Sequence, residues 1–171
     1  MKLQSIKQFP KCNYKANVPF LSLKDNLEHY GKTGLELNPT FQRGHVWSKE
    51  QKTRYIEYIL QGGTSGRDIY FNNPTWGKSY DGVTVCVDGL QRITAVQDFM
   101  ENKIKVFGYY YKDFEDRLPF DANFVFNIAN LEKESDVVKW YIDFNAGGTP
   151  HSNEEIERVE KYHLQLIADG K

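Results

Sequence analysis

A small α+β domain, with a mixed sheet covered by helices, is predicted from three observations. Blocks of helical periodicity recur near the start, the middle and the end of the chain. Short apolar runs bounded by turn residues lie between them. The two kinds of block do not alternate regularly, which argues against a doubly wound α/β fold. The 171 residues suffice for one domain with a real core, so residues 1–171 are read as a single unit.

The first helix is SLKDNLEHYG, in which Ser22 can cap, Leu23, Leu27 and Tyr30 share a face, and Gly31 ends the run. Residues 35–37 form a short extended piece, and Pro39 keeps the following chain out of helix. A second helix starts after Ser48, with Gln51 as its capping-box partner and Tyr55, Ile56, Ile59 and Leu60 on its core face; Gly62 and Gly63 end it. RDIYFN and VTVCV then read as strands, separated by the turn-rich NNPTWGKSYDG. A helix from Leu90 to Met100 follows. IKVFGYYY and NFVFNIA read as further strands, the pairing of the latter being open. In the last third Val137, Trp140, Tyr141 and Phe144 recur at helical spacing, Gly147 and Gly148 break the run, and Ser152 with Glu155 caps a final helix.

Composition narrows the function classes. Hydrophobic residues at 40% and charged residues at 26% describe a soluble globular chain rather than a disordered one. The aromatic share of 15% is read chiefly as core, with exposed rings for base stacking as the alternative. A net charge of −1 excludes a broadly basic nucleic-acid surface, so any phosphate site must be local. Lys2, Lys7, Lys11 and Lys15 are read as a solvated face. No run approaches a membrane span and no signal-peptide core opens the chain, which points to a cytoplasmic setting. Cys12 and Cys86 have no metal spacing and suggest no disulfide framework; Cys86 reads as a small buried side chain.

Three polar islands interrupt the apolar pattern. In LNPTFQRGHVW, Phe41, Val46 and Trp47 are placed to anchor a segment that presents Gln42 and Arg43. Arginine offers a planar fork of donors suited to phosphate; the plainer reading is a loop-stabilising ion pair. In VDGLQRITAV, Gly89 permits a tight turn into a helix whose first amides are unpaired and whose dipole favours an anion. Arg92 and Thr94 would reach the same place, and Asp88 could hold a metal ion, position water or act as a base. The plainer reading makes Asp88 an N-cap with Arg92 as its ion-pair partner. In FNAGGTPHSNEE the glycines suit a helix end, leaving Asn145 and His151 as surplus, His151 being able to titrate near neutrality or donate to phosphate.

In this order the three islands resemble the ParB/sulfiredoxin-like superfamily. The closest branch is the N-terminal domain of GmrSD-type modification-dependent restriction enzymes, domain-of-unknown-function family 262, whose hallmark is Asp-Gly-Gln-Gln-Arg at a strand-to-helix corner. The resemblance covers about residues 20–160. It implies a ParB-like nuclease or sulfiredoxin-like fold that binds and hydrolyses a nucleoside triphosphate with Mg2+, coupled in larger proteins to a nuclease domain that cuts modified phage DNA. Carried over by position, Asp88, Gln91 and Arg92 are the expected catalytic residues, with Asp88 as the Mg2+ ligand. Gln42, Arg43, Gly89, Asn145 and Gly148 are carried over as the expected nucleotide and phosphate contacts, to which the reading of the residues themselves adds Thr94 and His151. Leu90 replaces the first glutamine of the hallmark, and His151 stands where the family has an apolar residue. The chain ends at Lys171 without zinc ligands or a His-Asn-His signature, so DNA cutting is not expected of it alone. The reading is therefore a weak NTP hydrolase. The alternative is a non-catalytic nucleotide- or DNA-binding module, a phage or mobile-element protein engaging a separate nuclease or defence complex.

Overall fold

Five strands form one sheet in the order β1-β5-β3-β4-β2. This is a computed structural model, and it describes residues 5–6, 8–42, 44, 46–145 and 153–171. The strands are β1 (Tyr14–Pro19), β2 (Leu35–Glu36), β3 (Asp68–Asn72), β4 (Thr84–Asp88) and β5 (Asn123–Ala129). β1 runs antiparallel to β5 and β3 antiparallel to β4, whereas the β3–β5 and β2–β4 pairs are parallel. The sheet is therefore mixed, and with five α-helices among the described residues the α+β expectation is met.

The helices are α1 (Leu23–Tyr30), α2 (Lys49–Leu60), α3 (Leu90–Met100), α4 (Glu134–Asn145) and α5 (Asn153–Ala168). Strand alternation divides their packing between the two faces of the sheet. Ile69, Phe71, Cys86, Phe124, Phe126 and Ile128 join Leu23 and Leu27 of α1, Ile56 and Ile59 of α2, and Ile93, Val96 and Phe99 of α3 in one buried cluster. Val87 and Ala129 join Val137, Val138, Trp140 and Tyr141 of α4 and Val159 and Leu166 of α5 in another. Among the described residues no helix is long and apolar enough to cross a membrane.

Local chemistry explains most boundaries. Ser48 Oγ accepts from the Gln51 amide at 3.3 Å and Gln51 Oε1 accepts from the Ser48 amide at 2.8 Å, completing the expected capping box of α2. α3 has the bounds the sequence predicts. Ser22 departs from expectation: it occupies the N-cap position of α1, but its hydroxyl donates to the Pro19 carbonyl instead of receiving a helix amide. Residues 147, 148 and 152, to which the sequence assigns the break after α4 and the cap of α5, lie outside the described residues.

Two elements differ from the sequence reading. IKVFGYYY is not a strand. Phe107 (φ 50°) and Gly108 (φ 85°) are both left-handed, and Val106 and Tyr109 exchange backbone hydrogen bonds of 2.8 and 3.0 Å across them. Two successive positive φ values make a tight two-residue turn, and the chain continues into a single 3-10 turn at Tyr111–Asp113. β1 carries no strong apolar alternation because it is an edge strand, largely exposed along its first half.

Candidate functional site

A cavity of about 770 Å³ opens at the C-terminal end of β4, where the chain turns into α3. It is lined by Val87, Asp88 and Gly89, by the first turn of α3 and by residues of the last two turns of α4. That volume lies within the range typical of small-molecule sites.

Gly89 makes the corner. Its φ of 128° is available to glycine, and a Cβ placed there would stand 2.5 Å from Ile69 Cδ1 of β3. Gly89, not Asp88, holds the N-cap position, and no side chain caps the helix. The first backbone bond of α3 runs from Ile93 N to Gly89 O, leaving the earlier amides without intrahelical acceptors at the positive end of the helix.

Asp88 and Arg92 both line the cavity and form an ion pair one turn apart. The Asp88 side chain keeps 32% of its exposure, so the carboxylate is open to the cavity. Arg92 is more enclosed, and its buried Nε–H has no hydrogen-bond partner among the described residues. An unsatisfied buried donor costs about 1–3 kcal/mol.

Gln42 and Gln91 have a different task. Gln91 Oε1 accepts from the amides of Val46 and Trp47, both at 3.1 Å, while its Nε2 donates to the Gly44 carbonyl at 2.5 Å. Gln42 Nε2 donates to the Cys86 carbonyl at 2.5 Å. The two amides thus clamp the segment after Pro39 against the end of β4 and the start of α3. From behind, Arg158 of α5 donates to the carbonyls of Thr40 (3.0 Å), Phe41 (3.2 Å) and Gln42 (3.4 Å).

Of the other predicted residues, Asn145 lines the cavity, its Nδ2 donating to the Tyr141 carbonyl at 2.8 Å. Thr94 corrects the expectation that its donor shares the helix-end site. It sits one turn beyond Leu90, donates its hydroxyl to the Leu90 carbonyl at 2.8 Å and is not part of the cavity wall. Leu90, at the departure from the hallmark, is buried. Arg43, Gly148 and His151 lie outside the described residues, so their place relative to the corner is not part of this geometry.

Sequence reasoning missed the aromatic side of the cavity. Tyr70 of β3 packs against Phe144 (centroids 4.5 Å apart) and, edge-on, against Trp140 (6.1 Å), both from α4. The helical spacing of Trp140 and Phe144 signalled a core face, which they also supply. A register shift between Tyr70 and Phe71 leaves Val87 as the extra residue of β4, a bulge beside the site. Burial, then the nearby carboxylate of Asp68, holds the Tyr70 phenol above its ordinary range. Cys12 also lines this side, its thiol pushed up mainly by burial. Cys86, fully buried beneath the corner, is pushed up to about 12 by burial.

A basic and acidic helix corner in one cavity with aromatic rings does not by itself name a family. Residues 23–123 match the family described as the GmrSD restriction endonuclease, N-terminal domain, which is more than half of the chain. The chain belongs to the GmrSD N-terminal domain family. It is thus a restriction-system-related domain, and the matched span includes Gln42 and the whole Asp88–Arg92 corner. Comparison with curated proteins and with solved structures gives no match. The α4 wall and Asn145 lie beyond the matched residues.

Proposed function

We propose that the cavity binds a nucleoside triphosphate and hydrolyses it weakly. The phosphates lie at the corner, against Arg92 and the opening amides of α3, and the base lies against Tyr70, Trp140 and Phe144. The observation that carries this reading is the presence, in the lining of one cavity, of an arginine at a helix N-terminus and of several aromatic rings. Anions favour the first of these surfaces and flat heteroaromatic rings the second.

Among the described residues no group of three or more His, Cys, Asp or Glu side chains could hold a metal ion. A single open carboxylate suits Mg2+ that arrives on the triphosphate and keeps several of its waters, and Asp88 would be its protein ligand. The ion would neutralise phosphate charge. The chain's own contribution is positioning and electrostatic stabilisation: Arg92 meets the phosphate oxygens, and Gln42 and Gln91 fix the segment that brings Trp47 to the cavity.

One observation favours the alternative, a binding module without turnover. The side-chain carbonyl of Gln91 is engaged by two loop amides, and Leu90 supplies no amide at all. The two groups best placed to orient an attacking water are therefore committed or replaced. Phosphate release measured for wild type, Asp88→Ala and Arg92→Ala decides between them. Hydrolysis predicts a wild-type rate at least about tenfold above both variants; equal rates beside retained binding assign the module. The same cavity would also receive an unstacked base of single-stranded or modified DNA. Binding of DNA but of no free nucleotide, in a low-salt shift assay, would select that reading, and with it a separate nuclease or defence protein as the partner.

A further inference from the structure

Arg158 lies beyond the residues that match the family, in the first half of α5. It shares one face of that helix with Val159, Tyr162 and Leu166, which at about 3.6 residues per turn span roughly 100°. Val159 and Leu166 are buried in the cluster that includes α4, and the Tyr162 hydroxyl donates to Glu134 at 2.6 Å. α5 is thus fixed to α4 by groups other than Arg158, whose exposed side chain reaches the Thr40–Gln42 segment instead.

That segment is a tight turn, closed by the Gln42 amide donating to the Pro39 carbonyl at 2.9 Å. Its successive carbonyls converge on one guanidinium: Arg158 Nη1 takes Thr40, and Nη2 takes Phe41 and Gln42. The arrangement is that of a cation on the last carbonyls of a helix, at a segment with no helix of its own. A planar fork meets several acceptors from one fixed orientation, which the point charge of a lysine does not.

On its other sides the segment is held by two side chains of its own. The buried Phe41 ring packs 5.2 Å from that of Tyr141, and Gln42 Nε2 donates to the Cys86 carbonyl. Tyr141 and Gln42 both line the cavity. The ring and the side-chain amide locate the segment, while the guanidinium fixes its peptide planes and with them the direction in which Gln42 leaves the backbone. We propose that Arg158 is a positioning residue for the cavity. It holds the Thr40–Gln42 carbonyls so that Gln42 stays in the lining, and ligand affinity depends on it although it does not line the cavity itself. The effect on affinity rests on the nucleotide reading above; the effect on the segment does not.

Amide hydrogen exchange and calorimetric titration with a magnesium nucleoside triphosphate test this on wild type, Arg158→Ala and Arg158→Lys. The Gln42 amide is the reporter, because its bond closes the turn. In Arg158→Ala its exchange is expected to rise at least about fivefold, and the nucleotide Kd by a similar factor, from loss of charge-assisted bonds. Arg158→Lys is expected to recover part of both, while the α4 and α5 amides keep wild-type protection in either variant. A role in stability alone would speed exchange throughout α4 and α5 together with Gln42, and that result overturns the proposal. So does unchanged exchange at Gln42, or wild-type affinity beside faster exchange there. Wild type that binds no nucleotide defeats the nucleotide reading. A rise in Gln42 exchange then still supports Arg158 as the brace of the segment, and no rise defeats both.

Discussion

At the scale of single residues, Gly89 determines whether the corner exists. Any side chain there meets both a left-handed φ of 128° and the Ile69 side chain, whose Cδ1 lies 2.5 Å from the added Cβ. Backbone strain and overpacking together are expected to cost Gly89→Ala about 2–4 kcal/mol, read as a drop in denaturant midpoint; an unchanged midpoint would remove the packing argument. Cys12 reports on the aromatic side of the cavity. Its thiol is pushed up, so the neutral form persists to higher pH and the thiolate that reacts is scarcer at neutral pH. Alkylation of Cys12 is expected to be slower than for a free thiol, to accelerate only at more alkaline pH, and to slow further with nucleotide bound. Cys86, with no exposure, stays unlabelled in the folded chain. Reaction at Cys12 as fast as a free thiol's, with or without nucleotide, would count against this placement.

At the scale of elements, the corner depends on a loop that is not part of it. Gln91 holds three backbone groups of the Gly44–Trp47 segment, and Gln42 ties the other side of that segment to β4. Gln91→Ala is therefore expected to raise hydrogen exchange at the Val46 and Trp47 amides by about tenfold or more, corresponding to loss of one or two net hydrogen bonds. Nucleotide affinity should fall while the α3 amides keep their protection. Unchanged exchange at Val46 and Trp47 would mean that the clamp carries no energy. The sequence made the helices legible because their signals are local. The Ser48–Gln51 box and the apolar faces of α2 and α3 need no knowledge of distant residues. β1 and the Phe107–Gly108 turn were not legible, the first because an edge strand needs little alternation and the second because a phenylalanine at positive φ contradicts its own propensity.

For the whole molecule, the site is a junction of residues far apart in sequence: Phe9, Pro10 and Cys12, Gln42 and Trp47, Tyr70, the β4–α3 corner and the end of α4. The residues of the corner were legible because an acid, a glycine and an arginine are surplus to the needs of a turn. The roles of Gln91 and Thr94 were not, because hydrogen-bond partners 45 residues away, or a carbonyl one turn back, consume the groups that looked available. The aromatic wall was hidden for another reason: Trp140 and Phe144 serve the α4 core and the cavity together. The fold places these rings and Arg92 in the lining of one cavity, and the proposed activity rests on that meeting. Titration calorimetry with a magnesium nucleoside triphosphate, on wild type and Arg92→Ala, tests it most directly. The account predicts wild-type binding weakened at least about tenfold in the variant, with its fold intact. Equal affinity in a folded Arg92→Ala chain, or no heat of binding in wild type, would contradict it.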